Sequence, residues 1–213
     1  MTEHVVVIGA GGFGRETLDV LRAIEQDAPG SFVIDGVVDS SPHANSLTSL
    51  ERHEVVYLGT VEAWLSSRPT ASYLVAVGDP AARRRLADAA EGLGLKAAIA
   101  VHPRAGIGSD TSLGEGTIVC AGAQVSTGVH LGRHVHVNPN ATIGHDAHIA
   151  DFVSVNPAAV VSGFVSIASE TLIGAGAVVL QGLTVGGHAT VGAASCVTRD
   201  VAVGTVVKGV PAR

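Results

Sequence analysis

The residues best suited to moving a proton are His145 and Asp146, adjacent in Gly144-His145-Asp146. An imidazole beside a carboxylate is held in one tautomer and its protonated form is favoured, which suits a general base near neutral pH. By composition alone the reading of His145 as a surface or interface histidine prevails, so the case rests on what surrounds the pair. Other imidazoles lie close in sequence: His130 and His148 are eighteen residues apart, with His134 and His136 between them. Several imidazoles in one zone raise the question of a metal ion. A second feature that invites a ligand is Gly9-Ala10-Gly11-Gly12-Phe13-Gly14 near the start. Its glycines let the backbone approach a phosphate at a helix N-terminus, where unpaired N–H groups and the helix dipole favour an anion.

The element that must carry His145 is a repeat. From Ile107 to Val203 an aliphatic residue returns at every sixth position, and the residue after it is nearly always small. Each hexad supplies one short strand and one corner, so three hexads close a triangular coil whose inward aliphatics stack into a continuous core. Coils one strand spacing of about 4.8 Å apart build a parallel β-prism roughly 25 Å long. Period eighteen then shows which residues stack. Asn138-Pro139 and Asn156-Pro157 are equivalent corners with a structural role. His145, Gly163 and Gln181 share one corner line, and Ala175 and Ala193 share another. A zinc site of the carbonic-anhydrase-like hexapeptide kind takes histidines about two coils apart and another five residues on. No His pair here has either spacing, and no metal is expected.

Ahead of the repeat the pattern is that of a small α/β domain. A strand from His4 to Ile8 leads through the glycine turn into an amphipathic helix ending near Gln26. Further strands are expected at Phe32 to Val38, Val55 to Leu58, Tyr73 to Val77 and Leu95 to Val101, with loop between Ser41 and Glu54. Thr60 caps a short helix holding Trp64, and Asp79 caps another whose first residue is Pro80. Such alternation predicts a Rossmann-like parallel sheet with ligands outside the carboxyl ends of its strands, where Gly11, Gly12, Asp39, Ser40 and Gly78 fall. The expected domains are 1–103 and 104–213. About a hundred residues is too few for two mononucleotide halves, so a nucleotide or sugar phosphate is favoured over NAD; the bare alternative is a tight turn that only lets a helix pack closely.

Composition is that of a soluble globular protein: 213 residues, 15% charged, 3% aromatic, net charge -6. No basic cluster has aromatics interleaved, which argues against a nucleic-acid partner, and Arg83, Arg84 and Arg85 read as the solvated face of a helix. Without a leader or an apolar run long enough for a bilayer, the expected compartment is the cytoplasm, with no membrane partner. Cys120 and Cys196 are expected as buried reduced thiols rather than a disulfide or a metal pair.

Four stretches, GAGGFGRE, VGDPAARRRL, IGHDAHIADFVSVNPAAVVSG and VGAASCVTRDVAVGTVVKGVPAR, together resemble the sialic acid O-acetyltransferase and bacillosamine-type sugar-nucleotide N-acetyltransferase family. The resemblance runs in order over essentially the whole chain. It implies that the repeat is a left-handed β-helix, that the protein is a homotrimer with acetyl-CoA, the acetyl donor, lying along the groove between neighbouring prisms, and that a sugar nucleotide is held by the N-terminal domain. His145 matches the family's general base and Asp146 its acidic partner. Gly163 matches a backbone donor near the acetyl group, and Ala175 and Ala193 match positions whose main chain contacts coenzyme A. Gly11, Gly12, Phe13, Asp39, Ser40 and Gly78 match sugar-nucleotide contacts. Some members carry a second His nine residues after the base, where this chain has Ser154, which can donate a hydrogen bond to the cofactor but carries no charge. Some also have His in place of Phe13. The activity implied is transfer of acetyl to the amine of a nucleotide-linked amino sugar; O-acetylation of a sugar hydroxyl, or a non-catalytic trimeric scaffold, are the alternatives.

Overall fold

β1 (Glu3–Ile8) is the centre of the first sheet, flanked in parallel register by β2 (Phe32–Val38) and β3 (Ser72–Val75). These elements come from a computed structural model of the chain, which describes residues 2–67 and 69–213. The chain divides into two compact units, Met1–Pro103 and Arg104–Arg213. In the first, Val5 to Ile8 are at most 1% exposed, as a central strand covered on both faces requires. The strands expected around Tyr57 and Ala97 contribute single parallel bridges, Tyr57 to Val37 and Ala97 to Tyr73, so each edge of the sheet is short. α1 (Gly12–Asp27) buries Thr17, Leu18, Val20 and Leu21.

Two expectations in this unit are corrected. The stretch read as loop holds a helix, α2 (Ala44–Arg52), capped by His43, whose Nδ1 accepts from the Asn45 amide at 3.4 Å. Only Ser46 and Leu50, one turn apart, are buried on it, too few positions to show a period in the sequence. Beyond the short helix α3 (Val61–Ser66), Arg83 lies in α4 (Pro80–Glu91) and departs from the solvated face assigned to it. Arg84 and Arg85 are exposed, but Arg83 shares its face with Ala87 and Ala90 and is 0% exposed. Its Nη1 donates to the Val77 carbonyl at 2.8 Å, and burial pushes its guanidinium down to about 9 against the opposing pull of Asp79. Removing the side chain leaves a cavity and the half-buried Val77 carbonyl short of a donor. Arg83→Ala is therefore expected to lower the free energy of unfolding by about 3 kcal/mol, read from urea denaturation.

The second unit is a left-handed parallel β-helix of about six turns. Two-residue strands stack into three sheets. One runs from Gly106–Ile107 to Cys196–Val197 and one from Ser112–Leu113 to Thr184–Val185. The third includes Ile118–Val119 and ends at Val206–Val207. The repeat aliphatics Leu131, Val137, Ile143, Ile149, Val155 and Val161 are 0% exposed, and so are Ala141, Val153 and Ala159 in the fifth place of their hexads. Each coil bonds the next through its backbone, as in Gly144 N to Val161 O at 2.7 Å and Ser162 N to Val179 O at 3.0 Å. Asn138 and Asn156 form the expected corner ladder, Nδ2 of the first donating to Oδ1 of the second at 3.4 Å.

The repeat ends sooner than its sequence pattern. Val203 continues the six-residue spacing yet is 71% exposed, because the last coil is two residues short. Val185 bridges Val201 and Thr190 pairs with Val206, each sixteen residues on rather than eighteen. Asp200 closes the shortened turn by accepting from the Thr184 amide at 2.8 Å, and Val201, 7% exposed, takes the inward place.

Candidate active site

His145 follows the strand Thr142–Ile143 at a corner where the backbone must turn sharply. The residue completing the corner takes a left-handed conformation, φ 57 at Asp146, and the same holds at Asn140, Phe152, Ala158 and Phe164. Asn and Asp tolerate that region well, so Asp146 suits its backbone as well as its chemistry. His145 and Asp146 are both about half exposed, and Nδ1 of the ring lies 2.9 Å from Oδ2 of the carboxylate. A carboxylate only accepts, so the neutral ring carries its proton on Nδ1 and keeps the lone pair on Nε2.

Gly163, one coil on, lies directly beneath the imidazole. A Cβ on Gly163 would stand 2.7 Å from Nε2 and 2.8 Å from Cε1, closer than any side chain can approach. Among the described residues its N–H has no acceptor, while its carbonyl accepts from Gly182 N at 3.0 Å. Phe164 meets the imidazole edge to face, with ring centroids 5.0 Å apart. An acceptor nitrogen, a hydrogen-bond donor and an aromatic wall thus converge on one corner line. This can draw a proton from a nucleophile and steady a developing oxyanion. Phe164 escaped the sequence reading, although its place eighteen residues after Asp146 puts it on that line.

The residues assigned to coenzyme A lie elsewhere on the prism. Ala175 and Ala193 are exposed at the corner preceding the His145 face, stacked so that Ala194 N donates to Ala175 O at 2.9 Å. Their own N–H groups have no acceptor among the described residues, which suits main-chain contact with a long polar ligand. Ser154 is not brought to this corner. It sits between His136 and Leu172 in the third sheet and is 2% exposed, so solvent does not reach it within the chain.

In the first unit, the assigned positions gather at the carboxyl ends of β1, β2 and β3. Gly11 caps α1 with no side-chain bond, at the helix end where an anion is favoured. Gly14 is required by packing, since a Cβ there would collide with the Gly9 carbonyl. Exposed Gly11 and Gly12, half-buried Phe13 and exposed Gly78 share this rim. Asp39 is present but engaged: Oδ2 accepts from Ala10 N and Oδ1 from Ser41 N, each at 2.8 Å. Its carboxylate clamps the glycine turn to the end of β2. Ser40 donates to Glu62 at 2.7 Å, and this bond holds the Glu62 carboxyl below its usual range. Glu62, on the first turn of α3, was not singled out from the sequence; its address beside Ser40 is purely tertiary.

Three other histidines of the repeat, His130, His134 and His148, have ring partners. The rings of His130 and His148 stack 4.8 Å apart, and that of His134 lies 5.2 Å from Phe152. Among the described residues no three His, Cys, Asp or Glu side chains come together to hold a metal, and no helix is long and apolar enough to cross a membrane. No disulfide joins Cys120 and Cys196; Cys120 is buried as expected, while Cys196 is only half-buried.

An uninterrupted hexapeptide prism behind a small parallel α/β unit is the build of the hexapeptide-repeat acetyltransferases, and comparison with known proteins narrows the class. The PglD N-terminal domain family matches residues 4–90. The acetyltransferase domain of PglB from Neisseria gonorrhoeae FA1090, solved with acetyl coenzyme A, is 31% identical, with a TM-score of 0.84 over 100% of this chain and 99% of that one. PerB from Caulobacter crescentus, solved with CoA and GDP-perosamine, is 29% identical, with a TM-score of 0.87 over 100% and 97% of the two chains. WeeI from Acinetobacter baumannii AYE is 26% identical over 100% and 99%, with a TM-score of 0.82. No curated protein sequence matches. The chain belongs to the hexapeptide-repeat family of sugar-nucleotide N-acetyltransferases.

Proposed function

We propose that this protein transfers acetyl from acetyl-CoA to the amine of a nucleotide-linked amino sugar, as a cytoplasmic homotrimer. The observation that carries the reading is the His145–Asp146 pair, with Nε2 beside Gly163, whose N–H has no acceptor among the described residues, in a chain similar from end to end to proteins solved with acetyl coenzyme A or with CoA and a nucleotide-linked sugar. His145 Nε2 takes the proton from the amine as its nitrogen bonds to the acetyl carbon, and Asp146 stabilises the imidazolium that results. Gly163 N–H donates to the carbonyl oxygen as it gains charge. The same imidazolium returns the proton to the departing thiolate.

Ala175 and Ala193 offer main-chain donors to the coenzyme. Ser154 is assigned to the coenzyme on resemblance alone, since its burial gives it no independent support. Gly11, Gly12 and Phe13 receive the nucleotide diphosphate at the start of α1, with Ser40 and Gly78 on the same rim and Asp39 holding the glycine turn in shape. A half-exposed base needs walls to exclude water, and a neighbouring prism of the trimer supplies them. Attack is direct: Cys120 is buried, neither cysteine lies at the His145 corner, and ternary-complex kinetics follow.

The test is a panel of nucleoside-diphosphate sugars, each offered as the amino sugar and as its hydroxy analogue, with thiol release from acetyl-CoA as the readout. Acetylation of an amino member and none of its analogue is the expected result. Equal turnover of a hydroxy analogue would show an O-acetyltransferase, and no turnover across the panel would remove the proposal.

A further inference from the structure

We infer that Phe164 is a positioning residue of the transfer site, steadying the His145 imidazole and presenting an apolar wall to the acceptor sugar; this rests on the reading of His145 as the base. Phe164 stands one coil beyond Asp146, its amide donating to the His145 carbonyl at 2.9 Å. Its ring meets the imidazole at 89°, with centroids 5.0 Å apart, a favourable edge-to-face arrangement. Asp146 holds Nδ1 and Gly163 lies under the ring, so the phenyl is the third support and fixes the plane in which Nε2 points.

The backbone at this place argues that the ring serves more than the fold. Phe164 has φ 59, a left-handed conformation disfavoured for a bulky side chain, and the equivalent corners one coil either side hold Asp146 and Gly182. Phe152 has the same backbone, φ 60, but is 3% exposed and stacks on His134 at 6° between planes, so its burial offsets the conformation. Phe164 is 54% exposed and has no such burial. A large apolar ring half in water, in disfavoured backbone, against the base, stands where a ligand reaching Nε2 would cover it. What covers it must be apolar, because a hydroxyl pressed on the phenyl would lose water without gaining a partner. The C–H face of the amino sugar beside its reacting amine has that character.

The experiment compares the full chain with Phe164→Ala, Phe164→Tyr and His145→Ala, using acetyl-CoA and the amino-sugar nucleotide of highest turnover in the panel above. For Phe164→Ala, kcat is expected to fall roughly tenfold and KM for the sugar nucleotide to rise about fivefold, with KM for acetyl-CoA changed by less than about twofold. Its thermal midpoint is expected to stay nearly level, because the ring is 54% exposed and alanine keeps the same left-handed backbone. Phe164→Tyr keeps the ring and recovers most of kcat. If His145→Ala is inactive while Phe164→Ala matches the parent in kcat and KM, the inference about Phe164 is overturned and the functional reading stands. Loss of the trimer in Phe164→Ala would make the ring a subunit contact and overturn it too. A His145→Ala enzyme as fast as the parent removes the functional reading itself, and the inference with it.

Discussion

His145→Ala is expected to lower kcat by about a hundredfold or more while leaving the affinity for acetyl-CoA near that of the parent. The side chain is half exposed at a corner and contributes nothing to the aliphatic core, so the β-helix should fold and melt as before. What disappears is the acceptor for the amine proton. Ala175 and Ala193, assigned to coenzyme A, lie on another corner line, which is why binding and turnover should separate. Calorimetry with acetyl-CoA, paired with steady-state rates, measures both quantities. Turnover near the parent's would end the assignment of His145, whatever the similarity to known enzymes.

Gly163→Ala is expected to be almost as damaging although it removes no functional atom. The added Cβ would sit 2.7 Å from Nε2, so the imidazole must swing off its seat or the coil must shift. Moving a catalytic group by about 1 Å can cost on the order of a hundredfold in rate, and a loss of that size in kcat is expected here. The Gly163 amide survives the substitution, so the effect reads the seating of the imidazole rather than loss of a donor. The discriminating measurement is the NMR spectrum of the His145 ring alongside kcat: an unshifted spectrum with full activity would show that the ring does not rest on Gly163. These two substitutions and Phe164→Ala probe three sides of one side chain.

Much of this architecture is legible in the chain because hexapeptide folding is local. A coil is eighteen residues and its neighbour is the next eighteen, so sequence distance converts directly into position along the prism. That arithmetic puts His145 over Gly163, and Ala175 beside Ala193, from the sequence alone. It failed at the C-terminal end, where the pattern runs on to Val203 while the coil is cut short by two residues. Nothing in a list of aliphatics shows that Asp200 closes the turn. In the α/β unit, residue type misled more than spacing did. Arg83 has the spacing of a buried position, and its charge concealed that; α2 has too few buried residues to announce itself.

The sequence by itself determined the β-helix, the α/β unit before it, and the addresses of the candidate residues, because strand alternation, helix caps and a six-residue period are all set by near neighbours. Tertiary structure decided what each address holds. It turned Nδ1 of His145 to Asp146, set the phenyl of Phe164 edge-on against the ring, committed both oxygens of Asp39 to backbone amides, and buried Ser154 in the third sheet. Side-chain direction and solvent exposure depend on atoms that the chain brings together only when it has folded, so no spacing rule contains them.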